Sequence, residues 1–169
     1  ITLDDPAGPP GSTVRHLLAH TSGVAFDDAK VLAAPGQRRI YSNVGIEMFA
    51  AHLTDRTGIP FGDYVREAVT APLGMTATEL TGSPAHGFVS TVDDLLRFAR
   101  ELLNPTLFSP QTLAEATQAH FPTTAGVVPA VGRFDPNPWG LTFEIRGDKD
   151  PHWTGRRNSP RTFGHFGAS

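Results

Sequence analysis

The sequence predicts an α+β chain, with helices first and strands last. Apolar residues recur at helical spacing in several segments before residue 117, and the period changes to two at Trp139. Prolines and glycines stand at the joints between these segments. A chain of 169 residues is long enough for one domain with a buried core. The expectation is a partial single domain over 1–169, mainly helical over 1–138 and stranded over 139–169.

Residues 1–12 are rich in Pro and Gly and read as an irregular lead-in. Ser12 or Thr13 caps a short helix that carries Val14, Leu17 and Leu18 inward and ends by Gly23. Residues 24–40 read as loop, with Pro35-Gly36 as the turn before Tyr41. Asn43 then suits an N-cap, Ile46, Phe49, Ala50 and Leu53 form one helix face, and Gly58 and Pro60 stop it. Phe61, Tyr64, Val65 and Ala68 mark a further helical face before Pro72. Ser90 or Thr91 opens a helix with Asp93 and Asp94 in its first turn, where carboxylates favour the positive end of the dipole. Its stripe is Leu95, Phe98, Ala99 and Leu102, with Pro105 just beyond. Ser109-Pro110 starts the last helix, leading to Leu113 and Ala116. Residues 121–138, with Pro122, Pro129, Pro136 and Pro138, show no period and read as a long loop. Trp139, Leu141, Phe143 and Ile145 then alternate with Gly140, Thr142, Glu144 and Arg146, predicting a strand that pairs with 161–166.

Composition removes several functions. The chain is 39% hydrophobic and 18% charged, which fits a globular protein rather than a disordered tail. Fourteen Lys plus Arg against seventeen Asp plus Glu leave −3, which offers no general attraction to nucleic acid or anionic lipid. No apolar window approaches a membrane span. The absence of cysteine excludes disulfides, Cys-ligated zinc and thiol catalysis, and leaves the compartment open. Oligomeric state is equally open. The first residues carry neither a basic nor an apolar leader, and residues 163–169 stop amid strand-like sequence, so a piece of a longer protein is expected.

Four chemistries are disfavoured by the motifs. His16 and His20 stand at a metal-binding helical spacing, but position 17 is Leu where the zinc-protease pattern needs Glu. A helix with one buried and one exposed histidine accounts for the pair, and no metal or cofactor is expected. Phosphate-binding glycine loops and the G-x-S-x-G elbow are missing. Asp4-Asp5 and Asp93-Asp94 are adjacent carboxylates, which point apart rather than form a dyad. Acyl transfer fares better. Tyr41-Ser42-Asn43 places a phenol and an amide on a loop, far ahead of a strand bearing His165 between glycines. The phenol can relay protons, the amide can hold a carbonyl, and a strand edge can pair with extended substrate.

The chain resembles the serine β-lactamase and penicillin-binding protein superfamily, nearest its class C β-lactamase, D-alanyl-D-alanine carboxypeptidase and esterase branch. The matching segments fall in order. Residues 1–6 resemble the lead into the family's helical region, and Thr13 to Gly23 is close to a highly characteristic stretch. Pro35-Gly36 with Tyr41-Ser42-Asn43 matches the proline-glycine turn and Y-x-N box. Ala71-Pro72-Leu73-Gly74-Met75, the helix start at Ser90, Trp139-Gly140-Leu141 and the H-x-G-like His165-Phe166-Gly167 follow. The resemblance implies a β-lactamase/transpeptidase-like fold, with the helical region and the first strands of the antiparallel sheet. Its first box, Ser-x-x-Lys, is not in this sequence: no Ser has Lys three residues on, and the only lysines are Lys30 and Lys149.

That resemblance implies a role for each matching residue. Tyr41 shares proton transfer with the Lys of the first box, its pKa lowered by nearby cations. Asn43 holds the substrate's side-chain carbonyl. His165 replaces the more usual Lys of the third box as a pH-dependent donor, Gly167 lets substrate approach the strand, and the Ala168 N–H joins the oxyanion hole. Ser42 reads as structural. Phe166 stands where Thr, Ser or Gly is common, so a carboxylate-binding hydroxyl is replaced by a phenyl ring. The expected function is therefore an acyl-enzyme serine hydrolase, esterase- or peptidase-like more than a true β-lactamase. Its substrate is a small ester, peptide or β-lactam, and the chain as given is expected to be inactive. The alternative is a non-catalytic binding or regulatory protein that keeps the fold; Ser-x-x-Lys upstream of Ile1 separates the two.

Overall fold

The structure, a computed structural model, describes residues 1–167. Its order is α1 (Val14–Leu18), α2 (Asn43–Thr57), α3 (Phe61–Val65), β1 (Glu79–Leu80), β2 (Phe88–Val89), α4 (Val92–Leu103), α5 (Pro110–Thr117), β3 (Gly126–Val128), β4 (Gly132–Phe134), β5 (Glu144–Ile145) and β6 (Phe163–Gly164). The strands form antiparallel pairs β1–β2, β3–β4 and β5–β6. Helices and short antiparallel sheets together bear out the α+β expectation. No helix among the described residues is long and apolar enough to cross a membrane.

α1 and α2 supply much of the core, through Val14, Leu17, Ala50 and Leu53, with Val24, Val128, Trp139 and Ile145 added from loops and strands. α1 ends at Leu18 rather than running toward Gly23. His20 enters the left-handed region at φ 55°. Gly23 is also left-handed, at φ 87°, and a side chain there would collide with the Ala33 carbonyl. The cap of α2 is Ser42, one residue earlier than expected. Its hydroxyl accepts from Gly45 N–H at 2.9 Å and donates to the Ala25 carbonyl at 2.7 Å. Asn43 thus belongs to the first turn, and Gly58 closes the helix in the left-handed conformation, as its position suggested. α3 runs into a π-helical turn over Arg66–Thr70, where Ala71 N–H reaches back to the Arg66 carbonyl at 2.9 Å.

α4 begins at its Thr91 cap, but its buried residues are Asp94 and Glu101. Asp94 Oδ2 accepts from Ala77 N–H and the Thr78 hydroxyl, and Glu101 accepts from Thr106 and Leu107 N–H. Leu95 and Leu96, by contrast, are about half exposed, at 55% and 48%. These carboxylates fold the following and preceding loops onto the helix.

Two expectations about strands need correction. Residues 121–138 are not one loop: β3 and β4 form a hairpin within them, with Val127 opposite Arg133. Nor is 139–146 a continuous strand. Thr142 adopts φ 65°, Gly140 N–H bonds to the Phe143 carbonyl at 2.7 Å, and Trp139 bridges Glu144. The segment is a tight turn, and only Glu144 and Ile145 pair with β6. The turn is held from outside, because Leu141 N–H bonds to the Ala116 carbonyl and Thr142 N–H to the Leu18 carbonyl, each at 2.8 Å. Long-range contacts override the period-two pattern.

Candidate active site

Tyr41 ends the loop that feeds α2, and Arg39 fixes that loop. The guanidinium is buried, with 3% exposure. It donates to the carbonyls of Asn137 and His120 at 2.7 Å, of Ala19 and of Phe121, and to the Thr124 hydroxyl. Five acceptors from distant segments satisfy a planar fork that water no longer reaches. Burial pushes Arg39 down to about 10, so it stays charged at neutral pH. The same bonds tie the Tyr41 loop to the segment that delivers Trp139.

Around Tyr41 the rings close in. His20 lies 4.5 Å away between centroids, His165 5.6 Å, Phe26 5.7 Å and Trp139 6.0 Å. His20 is buried against Tyr41 and Trp139, and its Nδ1 accepts from Ser42 N–H at 3.2 Å. Burial, with lesser effects from His165 and Arg39, pushes its pKa down to about 3. The ring is therefore neutral, with the proton on Nε2. Tyr41 runs opposite to the expected direction. Burial raises its phenol pKa, and the Asp27 carboxylate raises it further.

Asn43 donates through Nδ2 to Asp27 Oδ1 at 2.7 Å, which fixes the amide's orientation and leaves its second N–H for another acceptor. His165 is exposed just after β6, with Nδ1 2.7 Å from the Phe166 carbonyl. Since a carbonyl only accepts, Nδ1 carries the proton; Nε2 is an acceptor when neutral and a donor when charged.

One cleft of about 820 Å³ is lined by Tyr41, Asn43, His165, Phe166 and Gly167, together with Phe26, Trp139 and Glu144. The two boxes, remote in sequence, thus meet. A Cβ at Gly167 would touch nothing within 4 Å, so the strand end there is open. Ala168 lies outside the described residues. His16 takes no part: its ring packs on Phe121 at 4.6 Å, while His20 packs on Tyr41. Sequence reasoning did not find Arg39, His20 as a packing partner of Tyr41, or Glu144 as a cleft residue. Only Arg39 carried a signal, as a charged residue beside the Tyr41 box.

The fold and cleft define a chain of the serine β-lactamase and D-alanyl-D-alanine carboxypeptidase superfamily. A family model described as Beta-lactamase matches residues 2–169, and the chain belongs to that family. It is similar to a crystal structure of a β-lactamase from Mycobacterium bovis, at 56% identity and a TM-score of 0.96, covering 99% of this chain and 62% of that one. The structure of a β-lactamase/D-alanine carboxypeptidase from Yersinia pestis shares the fold at 21% identity and a TM-score of 0.69, with 90% and 61% covered. A D-alanyl-D-alanine-carboxypeptidase/endopeptidase, AmpH of Escherichia coli K12, is 27% identical over 53% of this chain and 30% of its own length. The chain therefore spans less than two thirds of these relatives.

Proposed function

We propose that this chain supplies the proton-transfer and substrate-holding half of an acyl-enzyme serine hydrolase, one that prefers neutral esters or amides to β-lactams. The observation that supports it is the convergence of Tyr41, Asn43 and His165 on one cleft. The nucleophile comes from a Ser-x-x-Lys segment outside these residues. Its Oγ attacks the substrate carbonyl and loses its proton through the Lys and the Tyr41 phenol. The phenol returns the proton to the leaving group as the acyl-enzyme forms, and water then releases the acid. A phenol whose pKa is raised favours its neutral, proton-carrying form, so it serves best as the donor to the leaving group. Asn43, held by Asp27, offers its second N–H to the substrate carbonyl.

Phe166 and His165 set the preference. Phe166 brings a phenyl ring to the cleft, and burying an unpaired carboxylate against it costs several kcal/mol. His165 offers a charged donor only when protonated, unlike Lys. With the full-length natural protein, turnover of ethyl butyrate should exceed that of nitrocefin at pH 8. Phe166→Thr and His165→Lys should each narrow the gap. Nitrocefin hydrolysis that outpaces ester hydrolysis in the wild type would overturn the substrate assignment.

A further inference from the structure

Beside the cleft lies a buried charge cluster that proton transfer does not use. The Glu144 and Lys149 side chains are each 1% exposed, with Lys149 Nζ 3.0 Å from Glu144 Oε1. Lys149 also donates to the carbonyls of Ile145 at 2.5 Å and Pro138 at 3.0 Å. His152 Nε2 lies 3.1 Å from the same Glu144 oxygen, and the Trp153 indole N–H donates to the other, Oε2. A carboxylate bound on both oxygens, with its charge balanced by lysine, makes a fixed anchor.

The anchor holds an indole against Phe166, which itself lines the cleft. Trp153 stands over β6, where a Cβ on Gly164 would sit 3.1 Å from its Cη2. Its ring lies 5.7 Å from Phe166 and 5.3 Å from His152. Even so, Trp153 keeps 39% of its surface exposed. An isolated exposed tryptophan needs no explanation. This one is restrained by its N–H bond and is continuous with the cleft, because Phe166 and Glu144 both line the cavity. No Lys or Arg joins them there among the described lining residues, so the surface attracts by area and stacking rather than by charge.

We infer that Trp153 and Phe166 form an aryl-binding wall for substrate, held in place by the Glu144–Lys149–His152 cluster, and that the favoured substrates carry a neutral aromatic group on the acyl or leaving side. The inference deepens the hydrolase reading, on which its kinetic part rests; the wall can be tested without catalysis. A ring that stacks on a restrained indole gains more than an aliphatic ring of similar size, whose contacts are dispersion alone.

The test uses the full-length natural protein and two amides, phenylacetamide and cyclohexylacetamide, with binding read by isothermal titration calorimetry in wild type and variants alike. Phenylacetamide should bind about tenfold more tightly, and Trp153→Leu should remove that difference. For esters, Trp153→Leu should raise KM for benzyl acetate about tenfold more than it raises KM for ethyl butyrate, with kcat changing little. Glu144→Gln, which keeps an acceptor for the indole but unbalances Lys149, should weaken the aryl preference in part. Equal binding of the two amides by the folded wild type would overturn the inference, and that measurement needs no variant to fold. Aryl-selective binding without ester turnover would keep the wall and remove the hydrolase reading. Ester turnover without aryl selectivity would do the reverse.

Discussion

His20 is neutral in the folded chain because burial holds its pKa near 3, against about 6.5 for a free imidazole. The unfolded chain therefore binds a proton below pH 6.5 that the folded chain refuses, so stability falls as pH drops from 6.5 toward 3. His16 and His152, also lowered chiefly by burial, act in the same direction. Between pH 6.5 and 5, His20 alone accounts for about 2 kcal/mol of lost stability. Urea titrations at the two pH values should show this loss, and His20→Asn should flatten it. The conserved slope in the variant would show that another group controls acid sensitivity. Tyr41, Asn43, His165 and Phe166 were legible in the sequence because each sits inside a short box with a fixed order. Glu144 was not, since an alternating pattern assigned it to the solvent face, whereas Lys149, His152 and Trp153 enclose it.

The helix that follows Tyr41 depends on Ser42 more than on Asn43. Ser42→Ala removes the α2 cap and the bond to the Ala25 carbonyl, and should cost about 1–2 kcal/mol in denaturant unfolding. Asn43→Ala loses an exposed bond to Asp27 and should cost less than about 0.5 kcal/mol. In the full-length protein, the second change should lower activity far more than it lowers stability. The reverse ranking would place the cap at Asn43, where sequence spacing first puts it. Starts of α2, α4 and α5 were readable to within a residue because Ser, Thr and Pro mark them locally. The β1–β2 and β3–β4 hairpins were not, because strands of two or three residues hold too little pattern to establish a period. The strand expected over 139–146 failed for another reason. Bonds from Leu141 and Thr142 to Ala116 and Leu18 bend it into a turn that local alternation does not foresee.

Across the molecule, buried Arg39 ties the Tyr41 loop to the distant carbonyls of His120 and Asn137, while the Glu144–Lys149 pair holds the local turn over residues 138–149 beside the cleft. The cleft gathers a phenol, an amide and an imidazole, yet the sequence has no Ser with Lys three residues on. In the proposed mechanism Tyr41 transfers protons and His165 orients substrate, and neither replaces a serine nucleophile. The most direct test is labelling with a fluorophosphonate probe, followed by mass spectrometry to locate the adduct, on residues 1–169 and on the full-length natural protein. The account predicts no adduct on residues 1–169 alone. In the full-length protein it predicts one adduct, on the serine of a Ser-x-x-Lys segment outside them, that fails to form when Tyr41 is changed to Phe. An adduct on any serine within residues 1–169, or none on the full-length protein, would contradict it.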